Sequence, residues 1–450
     1  MDVKIISTEM IKPSSPTPNH LRNYKLSLLD QLIPAAYAPI VLFYANHDRA
    51  THFQVLQRLD LLKKSLSETL TRFFPLAGTI KDDLTIDCDD QGAHFTTAKL
   101  TKCSLNGFLE SPDLKLIAHF LPCGLTTQGF CVANIQATEF GCGGIAIGVC
   151  VSHRVLDGAA LSNFLKSWAN AAEINNPKPF LADHPDHFSA SHHDLFPAND
   201  SRLKDAAMAM WGSLFKKGKF VTKRFMFDGT SIASLKEMGS TGSSSSSSSP
   251  TRVEAVSGFI WKYAMAAYSE RRVGSTDQSL LTHLVNLRKR AAPNLSERAM
   301  GNLVWIASAV SSPSSSLKLD GLVEEVRKAV SRVDGDYVKK LRDDDGWNKM
   351  QRCLKEMEEL GRRNVHHLGF SSWCKLGFYD VDFGWGKPAW VSSVDSSGEY
   401  FMNLAVLIDS KCGDGIEAWV TMDEQEMGVL EHNQEFRALA SLNPSPLTIV

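Results

Sequence analysis

Two stretches of the chain carry hydrophobic residues at the three- and four-residue spacing of a helix that buries one face. This spacing predicts long helices over residues 55–70 and 253–267. The apolar positions of the first helix are Val55, Leu59, Leu62, Leu66 and Leu70.

Shorter apolar runs between turn residues predict strands over residues 130–138, 401–408 and 417–420. A further strand is predicted from Ile145 to Val151, where every position is apolar or small, so both faces of the strand are expected to be buried. Helical and strand patterns alternate along the whole chain. The sequence therefore indicates a mixed α/β fold, whose strand order the pattern does not define.

A histidine follows this buried strand directly, in the segment Ser152–Gly158, and an amphipathic helix is predicted after it. His153 thus lies at a junction between a strand and a helix, where proteins often place reacting groups. An imidazole can accept a proton at neutral pH and return it later, so His153 is the candidate general base. The alternatives are a surface or satisfied core histidine at 153, and at Asp157 a simple N-cap for the helix.

Composition narrows the class of protein. The chain has 450 residues, 43% hydrophobic and 22% charged, which predicts two large soluble domains.

A stretch rich in proline and histidine, residues 175–202, predicts a crossover between domains 1–200 and 201–450. The serine run 243–249 predicts a flexible surface loop. With 48 basic and 50 acidic residues, we expect a small-molecule partner and neither nucleic acid nor a membrane.

The nine cysteines include no C-x-x-C pair, so neither a disulfide framework nor a thiolate zinc site is expected. No long apolar segment is found at the N-terminus, and no run is long enough to span a bilayer. These features predict a cytoplasmic protein without a bound metal.

Several familiar motifs fail on their context. The sequence 141–146 fits a dinucleotide-binding G-x-G-x-x-A, but it leads into a predicted strand instead of a helix. Residues 382–384 spell the kinase D-F-G triplet without the other kinase segments, and no G-x-S-x-G elbow of a serine hydrolase is present. Nucleotide binding, kinase activity and serine hydrolysis are therefore disfavoured.

Two signatures together carry a resemblance to a known family. His153–Asp157 reads H-x-x-x-D and Asp382–Gly386 reads D-F-G-W-G, and both occur in this order in the plant BAHD acyltransferases. Segments 12–18, 73–78, 285–288 and 299–302 extend the resemblance over nearly the whole chain and look most like the vinorine-synthase group. The resemblance implies two domains related to chloramphenicol acetyltransferase, each with a mixed sheet and helices, and a solvent channel between them.

The same resemblance implies an activity. Acetyl-CoA would be the co-substrate, with no permanently bound cofactor, and His153 would deprotonate the hydroxyl of a terpenoid or alkaloid acceptor within a ternary complex. The enzyme would act as a monomer and form no acyl-enzyme. Transfer of a bulkier acyl group, acylation of an amine, and a ligand-binding relative without turnover remain the alternatives.

For the remaining site residues, the resemblance implies specific roles. Asp157 would pair with Arg288 as structural support, Ser371 would donate to the oxyanion, and Trp373 would line the acceptor channel. The alternative for Ser371 is a helix cap or a turn serine. The implied contacts of coenzyme A are Thr251, Arg252, Asn302 and Ser372. The implied structural loop contains Asp382, Gly384 and Gly386, where the glycines around an indole also predict backbone conformations that other residues avoid.

Overall fold

The structure is a computed structural model, which describes residues 2–46, 50–82, 84–122, 131–173, 195–198, 201–240, 249–271, 278–291, 295–311, 318–363, 365–394 and 398–448. Within these ranges the strands are β1 (Lys4–Ile11), β2 (Asn23–Lys25), β3 (Tyr37–Tyr44), β4 (Thr79–Ile80), β5 (Thr85–Asp87), β6 (Ala93–Leu100), β7 (Ala133–Phe140), β8 (Ile145–Ser152), β9 (Lys216–Lys217), β10 (Phe220–Phe227), β11 (Ser279–Asn286), β12 (Val304–Ser311), β13 (His366–Ser372), β14 (Trp390–Ser392), β15 (Tyr400–Phe401), β16 (Leu404–Asp409), β17 (Ile416–Asp423) and β18 (Ser441–Leu442). The α-helices are α1 (Leu28–Gln31), α2 (His52–Leu70), α3 (Leu105–Glu110), α4 (Gly158–Ala172), α5 (Ser201–Leu214), α6 (Gly229–Met238), α7 (Arg252–Arg271), α8 (Leu319–Arg332), α9 (Gly335–Arg342), α10 (Gly346–Arg362), α11 (Glu424–His432) and α12 (Gln434–Arg437).

The helices and strands with strong periodicity are where the sequence predicts them. Helices α2 and α7 contain the two predicted helical stretches, and β8 contains the predicted buried strand. Helix α2 begins three residues before Val55, the first position of the predicted buried face. Thr51 and Gln54 form a capping box there, in which each side chain accepts from the backbone N–H of the other residue.

One predicted strand, over residues 401–408, is wrong as a single element. The chain forms β15, leaves the strand at Met402 and Asn403, and then forms β16. The break coincides with a change of partner, since β15 pairs with β9 whereas β16 pairs with β13 and β17. Hydrophobic periodicity does not record which neighbour a strand pairs with.

Two mixed sheets organise the molecule. The first has the order β1-β6-β7-β8-β3-β14 and is antiparallel except between β6 and β7. The second has the order β12-β11-β13-β16-β17-β10-β18, with parallel pairs at β11/β13 and β13/β16. Each sheet packs helices against its own hydrophobic core. The predicted α/β class is confirmed.

The two halves of the chain exchange segments, which a division into residues 1–200 and 201–450 does not anticipate. Strand β14 belongs to the second half but pairs with β3 and closes an edge of the first sheet. Its Trp390 stacks on Phe43 with ring centroids 5.3 Å apart. In return, α1 buries Leu28 and Leu29 in the core of the second sheet. The predicted crossover 175–202 and serine run 243–249 fall mostly outside the described residues.

No helix in the described ranges is long and apolar enough to cross a membrane. Among the same residues, no group of three or more histidine, cysteine or acidic side chains is arranged to hold a metal ion.

Stability is expected to fall in mild acid because of a histidine buried in the second sheet. The ring of His367 lies 2.9 Å from the Thr282 hydroxyl, and burial, with a smaller effect of Lys216, lowers its pKa from 6.5 to about 3. Below about pH 6.5 the unfolded chain therefore binds a proton that the folded protein does not, which favours unfolding. At about 1.4 kcal/mol per pKa unit, this residue alone accounts for about 2 kcal/mol between pH 6.5 and pH 5.

Urea unfolding at about pH 7 and pH 5 measures the effect. His367→Gln is expected to lose less stability between the two values than the wild type, and the surface variant His432→Gln is expected to match the wild type. An unchanged difference in His367→Gln would contradict the assignment.

Candidate active site

His153 follows the last residue of β8, and the helix α4 begins five residues later. The predicted junction of strand and helix is therefore confirmed. Its backbone is fixed on both sides: the N–H donates to the Ala36 carbonyl at 2.8 Å, and the carbonyl accepts from Asn302 Nδ2 at 2.7 Å. The side chain is half-buried, and Nδ1 is buried without a hydrogen-bond partner among the described residues. The accessible part of the imidazole is thus its Nε2 edge.

Asp157 is both an N-cap and one member of a buried ion pair. One carboxylate oxygen accepts from the Ala160 N–H at 2.9 Å and from Arg288 Nη2 at 3.0 Å. The other accepts from Arg288 Nη1 at 2.7 Å and from the Leu303 N–H at 3.0 Å. A carboxylate offers about four acceptor positions, so these four bonds leave none for His153. His153 and Asp157 therefore do not form a dyad.

Arg288 connects this pair to the segment 299–302. Its guanidinium also donates to the carbonyls of Ala299 and Gly301, at 2.9 and 3.1 Å. Gly301 has φ of +99° and forms a bridge with Leu156, within the motif that carries His153. The arginine is almost completely buried, at 1% exposure. The ion pair therefore fixes a loop of the second half against the histidine loop of the first.

Asn302 is not placed where the implied contact with coenzyme A requires it. The residue is fully buried, and both its N–H and its Nδ2 donate to Asp30 Oδ1, at 2.6 and 3.0 Å. A ligand in a channel cannot reach this amide, because the residue is fully buried and the donors of Nδ2 are bound to Asp30 and the His153 carbonyl. The prediction of a direct contact is corrected: Asn302 lies behind the histidine backbone. Asp30 was not identified from the sequence, because its spacing from Ser27 is that of an ordinary capping box.

Ser371 and Ser372 are the last two residues of β13, so their side chains point to opposite faces of the second sheet. Ser371 follows His367 by four residues and therefore lies on the same face of β13. Thr282 of β11 lies on this face too, because its hydroxyl is hydrogen-bonded to the His367 ring. Its hydroxyl makes no hydrogen bond with the described residues. Ser371 is therefore neither a helix cap nor a turn residue, and its hydroxyl is available to a ligand.

Trp373 links the strand of Ser371 to the histidine motif. Its N–H donates to the Leu407 carbonyl at 2.7 Å, which continues the ladder past Ser372. The indole thus lies on the face of Ser371, and its Nε1 is 3.5 Å from the position that a Cβ on Gly158 would take. A side chain at Gly158 would also lie 3.2 Å from Leu376. The glycine that follows Asp157 allows this close packing.

The start of α7 places Arg252 beside the last residue of β16, a central strand of the second sheet, with Thr251 exposed next to it. Thr251 and Glu254 form a capping box, with bonds of 2.9 and 3.2 Å. Arg252 donates to Asp409 Oδ1 at 2.9 Å, while Asp409 Oδ2 accepts from the Lys375 N–H at 2.6 Å. Asp409 thus offsets the charge of Arg252. Lys375 is exposed, has φ of +63° and approaches this carboxylate through its backbone. Lys375 was not among the residues predicted from the sequence, although it is the one basic residue between Trp373 and Asp380.

The D-F-G-W-G segment forms a tight loop around its aspartate. Asp382 Oδ1 accepts from the N–H groups of Gly384 and Gly386, at 2.8 and 2.9 Å. Both glycines have positive φ, +98° and +109°, as the sequence predicts. Phe383 is fully buried and packs edge-on against Trp168 of α4, at 4.9 Å between ring centroids. The loop therefore fixes a segment of the second half on the helix that follows His153.

Comparison with known proteins places this geometry in a family. The family model described as the transferase family matches residues 1–437. Limonoid 7-O-acetyltransferase of Citrus sinensis is 42% identical, over 99% of this chain and 100% of that protein. The chain is a BAHD acyltransferase. Epi-neemfruitin B 7-O-acetyltransferase of Melia azedarach is 40% identical to it, with the same coverage of both proteins.

Solved structures agree with this BAHD fold. Vinorine synthase has a TM-score of 0.79 and 30% identity, and the match covers 99% of this chain and 100% of that one. TRI101 of F. sporotrichioides, solved with coenzyme A and T-2, has a TM-score of 0.73 at 17% identity, with coverage of 93% and 99%, and shows the shared fold. The protein is accordingly an acyl-CoA-dependent acyltransferase of plant specialised metabolism.

Asp157→Asn is expected to destabilise this BAHD acyltransferase by about 3–5 kcal/mol, because it leaves the buried Arg288 without its counter-charge. Urea unfolding gives the change. The control is Glu297→Gln, which removes an exposed pair with Lys289 and is expected to cost less than about 1 kcal/mol. An Asp157→Asn protein as stable as the wild type but inactive would instead support a catalytic aspartate.

Proposed function

We propose that this protein is an acetyl-CoA-dependent O-acetyltransferase that acetylates a hydroxyl of a plant terpenoid, with His153 as the general base. The observation that carries the proposal is the placement of His153, whose backbone is fixed at its N–H and its carbonyl between the two sheets while one ring edge stays accessible. A base held in this way can meet an acceptor and a donor in one complex.

In the proposed reaction, Nε2 of His153 takes the proton of the acceptor hydroxyl as the oxygen attacks the thioester carbonyl of the donor. A tetrahedral intermediate forms, and its C–S bond then breaks to release the acetyl ester and the thiolate of coenzyme A. The imidazolium returns its proton to that sulfur. Because Asp157 is fully occupied by Arg288 and backbone donors, the histidine acts without a carboxylate partner.

Ser371 is the proposed donor to the oxyanion of that intermediate. Ser371 is half-exposed, and its hydroxyl has no hydrogen bond to the described residues. It lies on the same face as Trp373, which reaches the histidine motif. A donor that is already oriented stabilises charge as it develops on the reacting oxygen. Trp373 is the proposed wall of the acceptor channel.

Coenzyme A is proposed to bind on the side of the second sheet where α7 begins. The hydroxyl of Thr251 and the guanidinium of Arg252 lie at this point and suit an anionic phosphate, and the exposed Lys375 is close in the chain fold, because its backbone N–H binds the carboxylate that Arg252 contacts. Ser372 faces the same side, opposite to Ser371. Asn302 is not part of this proposal because it is buried.

A terpenoid acceptor is supported by the relatives. The limonoid 7-O-acetyltransferases are 42% and 40% identical to this chain, whereas akuammiline synthase 2 of Alstonia scholaris is 36% identical. We therefore place a hydroxylated limonoid ahead of an alkaloid, and an acetyl group ahead of a bulkier acyl group. The enzyme is proposed to act as a monomer in the cytoplasm.

Calorimetric titration and turnover together test the proposal. The protein is expected to bind acetyl-CoA more tightly than a bulky aromatic acyl-CoA and to acetylate a hydroxylated limonoid. His153→Ala is expected to keep donor binding and to lose at least about a hundredfold in kcat, as expected for loss of a general base. The control is His432→Ala on the surface, expected to behave as the wild type.

Each part of the proposal has a contradicting result. Preference for the aromatic donor would reject the acetyl group, and product formed only with an alkaloid or an amine would reject the acceptor. Wild-type turnover in His153→Ala would reject the base. Donor binding without transfer to any acceptor of the panel would favour a ligand-binding relative.

Two neighbouring serines offer a matched test of the oxyanion donor. Ser371→Ala is expected to lower kcat about a hundredfold with little change in donor affinity, because it removes a hydrogen bond made in the transition state. Ser372→Ala makes the same chemical change on the opposite face of β13 and is expected to raise the Kd of acetyl-CoA with kcat nearly unchanged. Equal kcat values for Ser371→Ala and the wild type would remove Ser371 from the mechanism.

A further inference from the structure

A buried carboxylate and a buried amide lie directly behind His153, outside the reacting groups. We propose that Asp30 and Asn302 are positioning residues, which act together on the backbone of His153 and so set the direction of its imidazole. The inference rests on the proposed role of His153 as the base. It assigns to both residues a contribution to turnover that is separate from their contribution to stability.

Asp30 is completely buried in α1, and its carboxylate accepts hydrogen bonds from two described residues, Ser27 and Asn302. Its Oδ2 accepts from the N–H and the hydroxyl of Ser27, at 2.9 and 2.7 Å. Its Oδ1 accepts from the N–H and Nδ2 of Asn302, at 2.6 and 3.0 Å. The carboxylate therefore holds the backbone and the side chain of Asn302 at the same time.

The two acceptors around Asn302 define how its amide is oriented. Nδ2 donates one hydrogen to Asp30 and the other to the His153 carbonyl at 2.7 Å. Neither acceptor can bond to the amide oxygen, so the opposite orientation would break both contacts. Oδ1 is consequently buried without a partner among the described residues. Such an unsatisfied atom costs stability, so the amide is poorly explained by stability alone.

The contact with the carbonyl completes the fixation of His153. The peptide group before the histidine is held through its N–H by Ala36, and the one after it through its carbonyl by Asn302. With both flanking peptide groups fixed, the Cα–Cβ bond has one direction. A misplacement of about 1 Å at a reacting group can cost about a hundredfold in rate. The effect of the network is therefore expected in kcat.

The network also joins segments from both halves of the chain. Asp30 lies in α1, whose leucines pack in the core of the second sheet, and Asn302 lies two residues before β12 of that sheet. His153 follows β8 of the first sheet. The position of the base relative to the second sheet, which carries Ser371, thus depends on these hydrogen bonds.

The test compares two Asn302 variants with a matched buried amide. Asn302→Ala removes both side-chain bonds, and Asn302→Ser keeps a polar group near Asp30 that is too short to reach the His153 carbonyl. Both are expected to lower kcat about tenfold to a hundredfold, with the Kd of acetyl-CoA and the acceptor KM within about threefold of wild type. The binding stoichiometry of acetyl-CoA corrects kcat for any unfolded fraction.

Gln136→Ala is the control. Gln136 is also a buried amide with one side-chain and one carbonyl partner, Thr138 and His119, but it lies in the core of the first sheet. It is expected to lower the melting temperature and leave corrected kcat unchanged. A loss of kcat in Gln136→Ala equal to that in Asn302→Ala would show a general effect of destabilisation and overturn the inference.

The other outcomes separate this inference from the proposed function. If Asn302→Ala does not fold, Asn302→Ser decides, and a corrected kcat within about twofold of wild type in either folded variant overturns the inference. If His153→Ala is inactive while Asn302→Ser turns over normally, only the positioning role fails. If His153→Ala keeps wild-type turnover, the proposed base fails, and the positioning role fails with it.

Discussion

The buried ion pair between Asp157 and Arg288 is the constraint on which the arrangement of the site depends. Taking two charges out of water costs several kcal/mol per ion, and a buried pair recovers this only with complete hydrogen bonding. Here each guanidinium nitrogen donates and each carboxylate oxygen accepts two bonds. The loops that supply these bonds, around residues 156–160 and 299–303, cannot shift independently. The pair therefore fixes the histidine loop and the loop of Asn302 relative to each other.

Regular elements could be predicted from the sequence because their periodicity is a local property. Helices α2 and α7 and strand β8 have long, uninterrupted apolar patterns, and each is found where expected. Strand β14 could not be predicted, since three residues within a segment rich in glycine and aromatic side chains show no alternation. Its pairing with β3 depends on the tertiary fold, in which Trp390 stacks on Phe43. A boundary drawn at a change of composition misses such an exchange.

The site could be predicted only as far as its motifs reached. The spacing of His153 and Asp157 located the junction, and the resemblance supplied Arg288 and Ser371. The spacing of a motif does not show whether a residue is buried. The sequence could therefore not distinguish an Asn302 that contacts coenzyme A from the buried Asn302 that the structure has. Asp30 could not be identified for another reason. Its spacing from Ser27 is that of a capping box, which the structure contains, so the sequence gives it a local role. The same carboxylate also binds Asn302, which is far away in sequence.

The exchange of β14 also has a consequence for synthesis of the chain. The first sheet lacks an edge strand until residues near 390 have left the ribosome, and Tyr44 binds the carbonyl of Val381 across 337 residues of sequence. Contacts of such high sequence separation slow folding, because a very long loop must close before they form. During translation the edge of β3 stays uncovered, so we expect the nascent first half to need chaperones and to express poorly as a separate unit.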